Sequence, residues 1–399
     1  TRINEWITLE TLFDENSEPG FETAVTNAPA TVMSLSVHLL SGRPMKHRVR
    51  VGGQDDAAMK RAGKLERGLQ GWWNIADDLA FFSGHDTFNR ELAYWMTLTG
   101  WYSVLLGIHT RANGTAVPLI DFHDPRESYQ QYGSRLDGLQ SYVHIYDTTL
   151  GEARKMAALG GASISATAGD NMLPVTIYDY WEVVADKVEH AGVFQVANQG
   201  REWAHFTETV DSPRIPVLTG PVGGSPWRRS PTPGHGTLGM VGVGTDEWMK
   251  RAGMSVLEAN RPLWTQFNKY YSLLLEIAKN YAEPDKIRVR LEGGGERRAD
   301  TRSGGNVYDT EDINSAIRRD EPGRSPIEVL QVLERLHMDS QKGSFPDTLY
   351  GQINVDLSGF AISQLLEAAL HKLGPYKEAM QRVTRQADRW FLAQFREMK

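Results

Sequence analysis

The 399-residue chain contains no cysteine. That excludes disulfides and thiolate zinc sites, and it fits an intracellular origin. No run of Lys and Arg reaches five residues and the formal charge is −7, so the basic face needed for tight phosphate clamping is missing. A protein of this charge that handles DNA must do so without gripping it. No apolar run approaches the roughly 20 residues of a membrane span, and no signal peptide opens the chain. A phosphate-binding loop of the G-x-x-x-x-G-K-[ST] type, a G-x-S-x-G nucleophile elbow and an H-x-x-x-H pair are all missing. The usual short signatures of catalysis are thus not there.

What is present points to a globular protein of two or three domains: 40% hydrophobic residues, 23% charged residues and eleven tryptophans. Large aromatics dominate cores and interfaces, so much buried area is expected, part of it between subunits.

Three regions follow from the pattern, and together they predict an α+β fold. In residues 1–220, Val32–Leu40 is a short helix or strand closed by Gly42–Arg43–Pro44. Asp55 caps a helix with Ala58, Met59, Ala62, Leu65, Leu69 and Trp72 at three- and four-residue spacings. A second helix carries Phe88, Leu92, Trp95, Met96 and Thr99. Trp101–Ile108 and Ala116–Ile120 read as strands of a hairpin around Asn113–Gly114. Further strands are expected at Tyr142–Tyr146, Val175–Val184, Val193–Val196 and Trp203–Phe206, and neighbours along the chain favour antiparallel pairing. Pro213–Gly253, dense in Gly and Pro, reads as a long loop and a boundary.

From Ser255 the pattern is mainly helical. Val256 to Tyr281 repeats at helical spacing, with a break or kink expected near Glu258 because of Pro262, and Glu283–Pro284 ends it. Ile287, Val289 and Leu291 alternate as a small β-like insert that returns at Val307–Tyr308. Ser325–Pro326–Ile327–Glu328 is a helix start with cap, N1 proline and capping-box glutamate. Ser358 caps a further helix, Gly374–Pro375 interrupts it, and a helical pattern with Met380, Val383, Ala387, Trp390, Phe391 and Phe395 runs towards Lys399. With Thr1 as first residue and a helical pattern at the last, further chain is expected at both ends.

Candidate chemistry is sparse. Gly234 to Gly239 fits G-x-G-x-x-G literally, but Pro231 and Pro233 precede it where a buried strand is required, so a loop is the better reading. His109, His123, His144, His190 and His205 are spread along the chain and do not cluster in sequence. Asp246–Glu247–Trp248 has the residues of a glycosidase carboxylate beside a sugar-stacking ring; with 50 acidic residues in the chain, a solvated face or helix start is the better reading. Asn113–Gly114–Thr115 matches a glycosylation acceptor, and its turn role suffices. No cofactor and no metal is expected.

The order of parts is more informative. The run Gly253–Tyr281, the β-like insert after Pro284, the charged loop before Ser325 and the helix Pro326–Gln341 occur together with Phe345–Pro346–Asp347–Thr348–Leu349–Tyr350–Gly351 and Ser358–Gly359–Phe360–Ala361. Upstream stand Leu65–Glu66 and Trp72–Trp73 on one helix, a helix into Gly100, a hairpin, and a strand ending in Asp124–Pro125. In this order the chain resembles the portal proteins of tailed bacteriophages. The resemblance covers most of the chain through short, loose motifs.

It implies a structural protein and not an enzyme: a homo-oligomeric ring, commonly a dodecamer, at one capsid vertex of the virion, assembled in the host cytoplasm. The ring is a conduit for double-stranded DNA in packaging and ejection. Its implied partners are the terminase large subunit, a head–tail adaptor and the capsid protein, with no membrane. By position, 1–254 is the α/β wing, 255–283 the stem helix and 284–310 the clip. Residues 311–342 are the second stem part with tunnel loop and long helix, and 343–399 the return to the wing and the start of a crown. Arg318, Arg319, Asp320 and Arg324 fall in the DNA-facing tunnel loop. Arg288, Arg290, Arg297, Arg298 and Arg302 form the basic surface of the clip for partner docking, or alternatively a charge-protected edge strand. Trp264, Phe267, Tyr270 and Tyr271 cover so much of one helix that packing between copies is expected, an ordinary core helix being the alternative. The rival reading is a carbohydrate-active hydrolase using tryptophans for sugar stacking and Asp246 or Glu247 as acid.

Overall fold

The structure, a computed structural model, describes residues 24–42, 44–51, 55–111, 114–133, 138–159, 161–164, 171–196, 202–210, 212, 214–223, 253–282, 286–289, 307–310, 327–346, 349 and 359–397. It mixes helices with mainly antiparallel sheets and belongs to the α+β class. The chain divides into two compact units: Leu35–Ser255 with Leu370–Lys399, and Thr1–Ser34 with Val256–Ala369.

The apolar stretch at Val32–Leu40 lies within helix α1 (Ala28–Ser41), whose residues up to Ser34 count with the smaller unit and the rest with the larger. Helix α2 (Asp56–Phe82) starts at Asp55, whose Oδ1 accepts from the Ala57 N–H at 3.1 Å, the N-cap its sequence called for. Leu69, Trp73 and Ala76 line its buried face. Helix α3 (Phe88–Thr99) ends at Gly100, which takes the left-handed conformation with φ +67.

Strands β1 (Trp101–Thr110) and β2 (Ala116–Phe122) form the expected hairpin, with Gly114 at φ +78 in its turn; Asn113 lies outside the described residues. Strand β8 (Val217–Pro221) pairs antiparallel with the other edge of β1. The Gly/Pro-rich stretch is therefore not loop throughout. Its first residues complete a sheet of order β2-β1-β8, because Val217 is buried under the core even though its neighbours lack clear alternation.

The second sheet is a meander of order β3-β4-β5-β6-β7: Ser128–Tyr132, Leu139–Thr149, Pro174–Val184, Lys187–Val196 and Glu202–Val210. Its strands are longer than the apolar runs that announced them. Helix α4 (Leu150–Leu159) packs Leu150, Ala153 and Ala157 on Val175, Ile177 and Phe194 of this sheet. Tyr142, Trp181 and Val188 pack with Ile215 and Val217 in a second core. Helix α8 (Gly374–Glu397) presents Tyr376, Met380, Val383, Ala387 and Phe391 at helical spacing and packs on α3 and β8. One buried knot joins three segments: Asp388 accepts from Trp73 Nε1 at 2.7 Å and bonds His47 Nδ1 at 2.9 Å, while Phe88 and Phe391 close on the indole.

In the smaller unit, a 3-10 turn (Glu258–Asn260) leads into helix α5 (Arg261–Ala282). Pro262 does not kink it. Proline stands second in the helix, where its missing N–H would have found no partner, so the break falls just before it. Strands β9 (Lys286–Val289) and β10 (Val307–Thr310) pair in parallel. Helix α6 (Ile327–Gly343) packs on α5, and Asn260 Nδ2 donates to the Ser340 carbonyl near its end. Helix α7 (Gly359–Lys372) follows, separated from α8 only by Leu373. The interruption at Gly374–Pro375 is thus a single non-helical residue.

Candidate functional site

The smaller unit differs from an ordinary core in how little its helices bury. In α5 the first turns hold Trp264, which is buried. From Tyr271 to Lys279 no residue is buried, although this stretch carries Tyr271, Leu273, Leu274, Leu275 and Ile277. Tyr271 is 42% exposed and Leu273 47%. Two residues apart on a helix is about 200°, so these side chains leave opposite flanks. Helix α6 repeats the arrangement, with Leu330 46% and Val332 37% exposed two positions apart, and Leu336 buried. A helix that serves one core has one apolar stripe. Here two packed helices each show apolar groups on two opposed flanks.

Of the residues expected to pack between copies, Phe267 and Tyr270 are half-buried and Tyr271 exposed. Trp264 has to be set aside: it is covered within its own chain and has little surface left for a neighbour. Arg288 lies on β9. Arg290, Arg297, Arg298, Arg302, Arg318, Arg319, Asp320 and Arg324 lie outside the described residues, as do Asp246 and Glu247.

The larger unit contains the polar constellation closest to an active site, and the sequence did not announce it. His123, just after β2, and His144, on β4, are 21 positions apart and stack at 3.8 Å, and His144 stacks on Tyr146 at 4.5 Å. Two of the histidines scattered in sequence do meet here, because packing between residues of the two sheets and not spacing along the chain sets the distance. Around them Tyr142 Oη lies 2.7 Å from His123 Nδ1, 2.8 Å from Ser103 Oγ and 3.0 Å from Ser128 Oγ.

Proton counting fixes the directions. Ser128 donates its only proton to the Asp124 carbonyl at 2.8 Å, so it must accept from Tyr142. Tyr142 Oη then accepts from Ser103 and from the His123 Nδ1–H. Burial, with His144 alongside, pulls His123 down to about 3, so its ring is neutral. Tyr142, Ser103, Ser128 and His123 are all buried. A serine near a histidine could be a nucleophile, but these hydroxyls are spent on one another and closed to substrate. The network fastens three strands.

A third histidine is in the opposite state. His190 donates from Nε2 to Asp179 Oδ1 at 2.6 Å and from Nδ1 to Glu208 Oε1 at 2.7 Å, and Trp181 stacks on it at 3.8 Å. Burial works against its charge, but the bonds to Asp179 and Glu208 outweigh it and raise the imidazolium above its usual 6.5. A raised folded-state value means the stabilisation is fully present below 6.5 and is lost as pH climbs through the folded-state value. His190→Gln is therefore expected to lower unfolding free energy by about 1–2 kcal/mol near pH 5.5, and by much less at pH 9. Urea titrations at the two pH values test this; an equal deficit at both would show that His190 is not charged in the fold.

A cleft of about 350 Å³ lies between α2 and β2, with Asp77, His85, Glu91, His109 and Asp121 on its walls. Two of its carboxylates are occupied structurally: Asp77 accepts from the Phe88 N–H at 2.9 Å, and Glu91 from the Asp86 N–H at 3.1 Å. Together they tie the α2–α3 turn. Among the described residues no group of three or more His, Asp or Glu side chains is placed to hold a metal ion, and no helix is long and apolar enough to cross a membrane. No protein-family model and no curated protein matches the chain, so a functional reading has to come from its own residues.

Proposed function

We propose that the protein is a portal subunit of a tailed bacteriophage: a structural, ring-forming chain through which double-stranded DNA passes, with no catalysis of its own. One observation carries this reading. Helices α5 and α6 each leave large apolar side chains exposed on two opposed flanks, Tyr271 against Leu273 and Leu330 against Val332. A ring closed by heterologous contacts gives every subunit two neighbours, one on either side, and so calls for two sticky flanks. A two-fold dimer would need one.

The order of parts supports the same reading. Helix α5 would be the stem, the β9/β10 region with its arginines the clip that meets the packaging motor and the head–tail adaptor, and residues 311–342 the tunnel loop and long helix. A charge of −7 would keep DNA from sticking while Arg318, Arg319 and Arg324 touch it in passing. The site would lie at a capsid vertex in the virion.

Native mass spectrometry of the purified full chain at micromolar concentration is expected to give a closed oligomer of many copies, about twelve in this reading, and negative-stain images a ring with a central hole. A monomer by both methods would sink the reading.

A further inference from the structure

Helix α2 has a second face that the described residues leave uncovered. Opposite the buried Leu69, Trp73 and Ala76, spacings of three and four residues run from Ala57 through Arg61, Lys64, Gly68, Gly71, Ile75 and Asp78 to Phe82, and every one of these positions is exposed. This is the spacing of a helix-packing stripe. Ile75 is 41% exposed and Phe82 83%. A Cβ added at Gly68 or Gly71 would meet nothing within 4 Å. A mid-helix glycine costs about 1 kcal/mol relative to alanine, and no described residue makes use of the space.

The charges on the stripe are divided. Arg61 and Lys64 stand in its first half and Asp78 in its second, and no ion pair of the described residues takes up any of the three. The two glycines flank the middle of the 27-residue helix. Such a stripe complements itself when reversed. Laid antiparallel on a copy about the point between the glycines, Gly68 meets Gly71, Lys64 lays its stem on Ile75, Arg61 meets Asp78 and Ala57 makes room for Phe82. The small residues cross where the axes come closest, and the large one sits opposite a small one.

We propose that α2 is a two-fold contact surface, and that its partner is α2 of a second copy of this chain, antiparallel and crossed at Gly68 and Gly71. Charge complementarity selects this occupant, since each half of the stripe carries the sign that the other lacks. The helix is about 40 Å long, which gives the contact ample reach. It is isologous, and therefore distinct from the heterologous contacts that close a ring: it joins two free chains or two rings.

The test is self-association of the full chain, followed by sedimentation velocity and mass photometry over a concentration series. The wild type is expected to form pairs, either dimers or species of twice the ring mass. Asp78→Arg alone, and Arg61→Asp alone, should weaken pairing about tenfold or more, since each places like charges at both symmetric ends. Arg61→Asp with Asp78→Arg should restore it. Gly71→Leu, filling the crossing, should abolish it. Wild-type chains that never pair, or a double variant as weak as the single ones, would overturn the proposal. The number of chains per ring is read separately in the same runs and is expected to stay the same in every variant.

Discussion

A chain carrying Tyr271→Glu together with Leu273→Glu is expected to keep its fold and lose its ring. Both side chains are more than a third exposed in the single chain, and surface substitutions of that kind usually change folding free energy by about 0.5 kcal/mol or less. In a ring the same positions would be covered by the two neighbours. Each subunit contact would then bury a carboxylate without a partner, at a penalty of several kcal/mol. Because a closed ring repeats the contact at every subunit, the penalties accumulate, and assembly should fall by at least about a thousandfold, which is only about 4 kcal/mol. Far-UV circular dichroism should match the wild type while native mass spectrometry reports monomer. Intact rings at micromolar concentration in the double variant would mean that α5 does not form the contact between copies.

The way these helices were legible explains where legibility stopped. Helix α2 could be read from Leu65, Leu69 and Trp72 and from Asp55 before them, because periodicity and a cap are both local signals. The β1–β2 hairpin was readable because Gly114 accepts the left-handed region that its turn requires. The two-residue turn between β5 and β6 was not. It places Ala185 at φ 48 and Asp186 at φ 64, a conformation usually marked by Asn–Gly. Here the ten paired positions of the two strands hold it instead. Strand β8 was hidden in a Gly/Pro-rich stretch because its hydrogen bonds go to β1, more than 100 positions away.

The histidine network was invisible for the same reason. His123, just past β2, and His144, on β4 of the other sheet, meet through tertiary packing, which no spacing rule along the chain encodes. The flanks of α5 stood between these cases. Its wealth of aromatics was plain, but only burial could tell Trp264, already covered, from Tyr271, still exposed.

The second large effect is expected from one methyl group, in Gly100→Ala. Gly100 ends α3 with φ +67 and its N–H bonded to the Met96 carbonyl. A Cβ there would stand 2.3 Å from Met254 N, 2.7 Å from Met254 C and 2.8 Å from Gly253 C, all of them backbone atoms. That backbone cannot swing aside as a side chain could. The Val222 N–H donates to the Gly100 carbonyl at 2.7 Å, the Met254 N–H to the Val222 carbonyl at 2.9 Å, and Ser255 Oγ to the Thr97 carbonyl at 3.0 Å. Tyr376 of α8 donates its hydroxyl to the Met254 carbonyl. The methyl group would therefore have to part β8, α3 and residues 253–255 together. The left-handed conformation alone costs a non-glycine residue about 1 kcal/mol; the forced separation should bring the total to about 3–5 kcal/mol. Gly84→Ala isolates the two contributions, because Gly84 has φ +79 but an added Cβ meets nothing within 4 Å. Its loss should stay near 1 kcal/mol. Denaturant unfolding of both variants decides the matter. If Gly100→Ala were no worse than Gly84→Ala, residues 253–255 would not be pinned against the end of α3, and the chain would enter α5 without the anchor described above.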